Sequence, residues 1–417
     1  MTEESTAAVD QEGTPSPWRT RDFRLVWTGG FVNDVGDWLL LVALPVYVFT
    51  QSRSGSATAI LFVVELVAAL ILGPVGGSLV DRWDLRRTLI VTNVAQAITL
   101  TPLLAVNGHR IWPAYLVVGV QAMLTQINNP ASAALLPRVV APDQLTVANA
   151  ANSTSASLAR LVGSPLGGLA VGLGGIGTVV LIDGVTFVAV AVATAFVSSD
   201  TAPITTDANT GEAVESGMRA GVNAVRGHRS LMSMLLIDAF GQIAQGFFLV
   251  LFVVFVVDRL HGGGVDVGLI RGSMAIGAVI SAAVIGKFAD RVAPLTLLTI
   301  GYFGMGATSL LFWNAPAVTT ALWVYILVFG VSGVPGSALG IGMFTAVQQL
   351  SPSGMLGRVI GMAGALDALA RAVGSLLAGV LVSRVHLVVL LDTQSAIYLV
   401  CGALAYVFLC RRSTVSA

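Results

Sequence analysis

"LARLVGSPLGG", residues 158–168, and "LARAVGSLLAG", residues 369–379, each set one arginine inside an apolar, glycine-rich segment. A guanidinium is costly in such a segment unless it meets a partner or water. The two arginines, Arg160 and Arg371, lie 211 positions apart. A second echo has almost the same offset. "GGSLVDR" at 76–82 and "IGKFADR" at 285–291 place Asp81 and Asp290 209 positions apart. Two landmarks at nearly one spacing point to two halves of like build, the parallel repeat related by an axis along a membrane normal.

Composition supplies the membrane. Hydrophobic residues make up 55% of the 417 and charged residues 11%, against about 25% charged in a soluble domain. Apolar runs longer than about 18 residues recur, each long enough to span a bilayer as a helix. The short alternating strands of a membrane barrel are absent. Breaking the runs at charges and Gly/Pro clusters predicts an all-α membrane protein of twelve transmembrane helices. They begin near Phe23, Ala57, Thr88, Ile111, Gln144, Gly177, Leu231, Val265, Pro294, Thr319, Gly357 and Leu387.

With the N-terminus inside, fifteen basic residues fall in inner segments and five, Arg53, Arg110, Arg259, Arg271 and Arg384, in outer ones. The bias places both termini in the cytoplasm of a multi-pass protein of the inner cell membrane. Residues 1–22 read as a disordered cytoplasmic tail, 23–198 as an N-terminal six-helix bundle and 199–230 as a cytoplasmic linker with an amphipathic helix. A C-terminal six-helix bundle over 231–410 and a cytoplasmic tail over 411–417 complete the chain.

At these residues the chain resembles the major facilitator superfamily. "GSLVDRWDLRR" is similar to that family's loop between helices two and three, with Gly77, Asp81, Arg82, Arg86 and Arg87 in matching positions. It departs at Asp84, where the family commonly has glycine, and at Leu85, where it has a basic residue. "GSPLGG" (Gly163, Pro165, Gly167 and Gly168) is similar to the fifth-helix motif of the antiporter branch, with the proline one place later. "FVNDVGDWLLLVALPVYVF" and "PASAALLPRVVAPDQLTVAN" resemble the branch holding macrolide and siderophore exporters. The resemblance implies alternating access between two six-helix bundles and no cofactor beyond an ion gradient.

The same motifs carry physics of their own. Small residues let membrane helices approach closely, so the helix-five glycines predict tight contact, and Pro165 predicts a bend. Asp81 at a helix end can accept from a facing helix N-terminus, worth about 0.3–1 kcal/mol and up to about 2 when partly buried. A contact of that size suits a conformational latch built from Gly77, Asp81, Arg82, Arg86 and Arg87, with Asp290 and Arg291 as its repeat.

Ionisable groups inside spans are functional candidates because each is expensive there. At ~1.5 Å per residue, Asp34, Asp37, Glu65, Arg160, Asp238, Asp367 and Arg371 come to mid-membrane depth, while Asp183 and Asp392 lie nearer the outer rim and read as structural. Asn33, Asp34 and Asp37 share a face of helix one, and Asp367 and Arg371 are spaced to pair directly. Arg160 has no acid within four residues and is expected to bond Glu65 or Asp37 in one state of the cycle. Five acids face two bases in this count, so the excess either carries protons or attracts cations.

These features predict a secondary exporter of a hydrophobic or cationic small molecule, of drug or siderophore class, driven by proton antiport. A proton-coupled importer of the same fold and a non-transporting membrane sensor or scaffold are the alternatives. The net charge is zero, which offers no surface for nucleic acid, and no phosphate loop or Ser/His/Asp grouping supports an enzyme. Cys401 and Cys410 both fall in the last apolar run, and the four histidines lack ligand spacing, so no metal site is expected. The expected partners are a small-molecule substrate, protons and lipid, and the expected state is a monomer.

Overall fold

A computed structural model describes residues 17–80, 83–107, 110–141, 144–198, 228–288, 292–351 and 356–410. Its helices are α1 (Arg21–Ser52), α2 (Gly55–Val80), α3 (Leu85–Thr99), α4 (Trp112–Val139) and α5 (Leu145–Ala195) in the first half of the chain. The second half adds α6 (Arg229–Val254), α7 (Gly264–Phe288), α8 (Pro294–Asn314), α9 (Leu322–Leu350), α10 (Leu356–Leu381) and α11 (Leu387–Ala405). Helix α5 breaks at Gly175, whose φ of 65° and ψ of −164° belong to a region only glycine visits cheaply. The break divides it into arms 145–174 and 176–195. The chain runs helically through Pro165, so the sharp turn comes at Gly175 instead.

Counting the resumption after Gly175, every expected helix start falls within three residues of an observed one. Among the described residues nine helical segments are long and apolar enough to cross a membrane. Helix α4 is outside that set. It carries a polar seam against α3, where Asn128 Nδ2 donates to Thr92 Oγ1 at 3.1 Å and Gln121 Nε2 to the Gln96 carbonyl at 3.0 Å. The expected linker helix lies within 199–227, outside the described residues.

Within the first half α1 packs on α5, α2 on α4, and α3 against both α4 and α5. Within the second, α6 packs on α10 and α11, and α9 on α7 and α8. Two contacts dominate between the halves, α5 on α7 and α2 on α10. Glycines make both kinds of contact, and they repeat. A Cβ on Gly163 would reach the Trp38 Cβ at 2.8 Å, and Gly374, 211 positions on, abuts the Ile243 carbonyl in the same way. These two press each arginine helix onto the first helix of its own half.

The next glycines face the other half. Gly168 abuts the Gly264 carbonyl of α7, and its counterpart Gly379 lies against Gly55 and Ser56 of α2. There the Ser56 hydroxyl donates to the Gly379 carbonyl at 2.6 Å. Pro165 joins the first seam, with its Cγ 2.8 Å from a Cβ placed on Gly272. Both seams lie toward the end carrying Arg53 and Asp258, whose 3.6 Å ion pair links the C-terminus of α1 to the turn after α6. Each arginine is therefore fixed one to two turns from a seam between the halves, on the side where they meet.

Candidate substrate and proton site

Two adjoining cavities occupy the middle of the molecule. The larger, about 470 Å³, lies between the halves, and its wall includes Trp38, Glu65, Arg160, Phe248, Arg271 and Arg371. The smaller, about 280 Å³, lies within the first half, lined by Asp37, Trp38, Glu65, Gln121, Thr125 and Gln126 among others. Glu65 and Trp38 belong to both.

Arg160 and Arg371 both face the larger cavity. Arg160 reaches no carboxylate there. Its guanidinium lies over the Trp38 ring, 4.4 Å from the centroid, and its Nε is buried without a partner. Stacking of this kind is worth ~0.5–1 kcal/mol when exposed and about 2 when desolvated. The expected bond to Glu65 or Asp37 is absent from this state.

Arg271 was counted among the outer loop charges, and the structure corrects that placement. It sits two turns into α7, 8% exposed, in the cavity wall and 5.9 Å from the Phe248 ring. A span starting at Val265 leaves Arg271 near its boundary in the sequence. The repeat carried the missing signal, because 209 positions earlier stands Phe62, one turn before Glu65 in mid-helix. The larger cavity thus holds three arginines and one glutamate. Glu65 lies within electrostatic reach of Arg371 and Arg271, and Arg271 feels Arg160 as a like charge. No carboxylate touches any of them. Among the described residues the one ion pair at bonding distance is Arg53 with Asp258.

The acids are gathered elsewhere. Asp37 opens on the smaller cavity and accepts from Asn33 Nδ2 at 3.0 Å, while Asp34 lies half-buried one turn earlier on α1. Asp183, read from sequence as a rim residue, is fully buried. Its carboxylate packs where a Cβ on Gly36 would stand, takes a 3.3 Å bond from Thr186 and leaves Oδ2 unpartnered. Asp183, Asp34 and Glu65 are the charged groups acting on Asp37. No cation joins them. Gly36 was the legible signal, since a glycine between two acids in a span marks a close approach.

In the second half Asp238 is buried, accepts from the Tyr302 hydroxyl at 2.6 Å and lies close to the carboxyl of Asp367. The expected direct pair of Asp367 with Arg371 does not form, because Asp367 turns to Asp238 on α6 while Arg371 turns to the cavity. Asp392, the other rim acid, accepts from Asn314 at 2.9 Å.

A search against family models matches residues 26–375 to the Major Facilitator Superfamily, with a second match over 240–415. The chain belongs to this superfamily. Macrolide efflux protein A of Streptococcus pyogenes is 22% identical over 384 residues, covering 88% of this chain and 91% of that protein. The multi-drug resistance efflux pump PmrA of Streptococcus pneumoniae is 25% identical over 347 residues, covering 81% and 83%. Among solved structures, the nucleoside transporter NupG aligns at TM-score 0.74 and 14% identity, covering 93% of this chain and 99% of that one. A bacterial homologue of the iron transporter ferroportin in its inward-facing state aligns at 0.72 and 16%, covering 93% and 98%. The protein is a multi-pass membrane transporter rather than an enzyme.

Of the superfamily loop after α2, Asp81 and Arg82 lie outside the described residues, as do Asp290 and Arg291 of its repeat. Gly77 falls in the last turn of α2. Asp84, the departure from the family pattern, caps α3 by accepting from the Arg87 backbone N–H at 2.8 Å, the role such a residue fills at a helix start. Arg86 donates to the Ala195 carbonyl at the end of α5. The helix-five motif is a set of close contacts, with Gly163 and Gly167 on α1 and Gly168 and Pro165 on α7.

Proposed function

We propose that this superfamily member is a secondary active exporter that moves an amphipathic small molecule out of the cell by alternating access, in exchange for protons. The observation that carries this reading is the carboxyl cluster of Asp34, Asp37 and Asp183 with Glu65 beside it, clear of any contacting cation and open to a cavity through Asp37. Crowded carboxyls in apolar surroundings cannot all stay ionised, so such a cluster binds and releases protons as its surroundings change. Glu65, shared by both cavities, lets occupancy of the larger one bear on protonation in the smaller. The similarity to a macrolide efflux protein and a multi-drug efflux pump favours outward transport.

In this reading the protein lies in the inner cell membrane as two six-helix bundles with both termini cytoplasmic and works as a monomer. The two glycine seams then close the outer end, so the structure corresponds to the outward-closed state. Everted vesicles from cells expressing the protein should accumulate fluorescent amphiphiles when their lumen is made acidic, so that protons leave as substrate enters, and lose them on addition of a protonophore. Accumulation only in right-side-out vesicles would make it an importer, and no movement under any gradient would remove transport altogether.

A further inference from the structure

We propose that the larger cavity recognises an anionic headgroup, so that the transported molecule is an amphipathic anion, carboxylate- or sulfonate-bearing, with an aromatic or apolar body. The inference rests on the reading of this cavity as the transport site, and it narrows the substrate class. Among the mid-membrane residues read from the sequence five acids face two bases, an excess that either carries protons or attracts cations. Within the cavity wall the ratio is reversed, with Arg160, Arg271 and Arg371 against Glu65 alone.

Three observations converge. Arg271 is more than nine-tenths buried and makes no ion pair at bonding distance among the described residues. Arg160 has its Nε buried without a partner and repels Arg271 as a like charge. Arg371 projects into the same space from the opposite half, four residues from an aspartate that has turned away from it. Guanidiniums gathered in an apolar cavity are costly until an anion or water satisfies them. Their planar forks match a carboxylate or sulfonate with two parallel bonds.

The rest of the wall fits the body of such a molecule. Trp38, Phe62, Phe248, Met274 and Phe329 provide aromatic and polarizable faces, and about 470 Å³ holds a small aromatic ligand. Glu65 is then an internal competitor for Arg271 and Arg371, the two cations it reaches. Because one arginine comes from each half and Arg271 from the second half's α7, an anion held among them bridges the halves, and its presence favours the state in which they close on it.

The test uses three probes with one body: radiolabelled 2-naphthoate, 2-naphthamide and 2-naphthylmethylammonium, bound at equilibrium to the purified full-length protein. The naphthoate should bind about tenfold or more tighter than the amide, and the ammonium more weakly than either. Arg271→Gln and Arg371→Gln should each weaken naphthoate roughly five- to tenfold and leave the amide unchanged. Glu65→Gln should tighten naphthoate several-fold, a gain that a misfolded variant cannot mimic. Equal or tighter binding of the amide or ammonium overturns the proposal, as does equal weakening of amide and carboxylate by the arginine variants. A proteoliposome assay separates this from the exporter reading. Anion-selective binding without movement under any gradient would leave the anion site standing and remove the exporter. Movement of neutral or cationic dyes by a protein without anion preference would do the reverse.

Discussion

Arg160 and Arg371 occupy equivalent places in the two halves, yet the acids around them have opposite fates. In the first half Asp37 opens on a cavity and Asp183 presses behind it with one oxygen unpartnered. In the second, Asp238 is sealed in the core by Tyr302 and Asp367. A satisfied buried network rigidifies, whereas a group left partly unsatisfied next to water is free to exchange a proton. The duplicated scaffold fixes where the arginines stand, and in the proposed function the divergent acids give proton exchange to one half and bracing to the other. Nothing in the repeat itself sets this difference. It comes from Gly36, which admits Asp183 to helix α1.

The largest effect expected from this comparison is on Asp37. Asp37→Asn should reduce proton-driven accumulation to background and flatten the pH dependence of transport, while counterflow of substrate down its own gradient persists. Asp238→Ala, by contrast, should lower the yield and melting temperature of folded protein, because it strips the buried acceptor from the Tyr302 hydroxyl, a loss of about 1–3 kcal/mol, and leave coupling intact in what folds. Transport and thermal unfolding measured on both variants decide it. A coupled Asp37→Asn, or an Asp238→Ala that is stable but uncoupled, would exchange the roles of the halves.

The glycines sharpen the same contrast. Gly374→Val would drive a side chain into the Ile243 carbonyl inside one half, overpacking that costs about 1–3 kcal/mol of stability. Gly379→Val meets Ser56 and Ala59 of the other half, which can move apart as a body. It should spare the melting temperature to within a few degrees and hold the seam open, raising the labelling rate of a cysteine placed at Ser56. Equal destabilisation by both substitutions would mean that the seam between halves is part of one fixed core.

Much of this is legible in the sequence. Helix starts were marked by charges, prolines and glycines, and the repeat followed from two motifs at nearly one offset. Three features were not. Arg271 was lost because a span boundary drawn at Val265 leaves a residue two turns in looking like loop. Asp183 looked peripheral because a straight helix six would carry it toward the rim, whereas the seat beside Gly36 depends on α1 and α5 crossing closely. Asp367 was matched to Arg371 by spacing alone, and a same-helix spacing cannot register a better acceptor on α6. Sequence distance reports where helices start and says little about which neighbour a side chain chooses.

A smaller effect concerns how Arg160 is held. Trp38→Leu keeps an apolar wall but removes the ring beneath the guanidinium. A loss of up to about 2 kcal/mol should appear as a weaker affinity for any probe that contacts Arg160, with folding unchanged. Arg160→Lys should retain most transport, since an ammonium also stacks on tryptophan. Should Trp38→Leu bind the probe as tightly as the unsubstituted protein, the stacking holds nothing that transport uses.

The smallest effect is expected where the charges are easiest to see. Arg53 and Asp258 form an ion pair at 3.6 Å across the end at which the halves close, and their side chains are 69% and 49% exposed. A pair so placed invites reading as a gate. Its geometry argues otherwise: both groups keep most of their water, salt screens them, and two long side chains lose freedom in meeting. Exposed pairs contribute about 0–1 kcal/mol, far less than the glycine seams that bring backbone against backbone beside them. Arg53 also caps α1 in the left-handed region, with φ at 50°, so its backbone position follows from the helix end rather than from Asp258. Arg53→Gln should therefore change the transport rate by no more than about twofold, and raised salt should erase even that difference. Asp258→Asn should match it. A large, salt-resistant loss in either variant would move the closing interaction from the glycine seams to this rim pair.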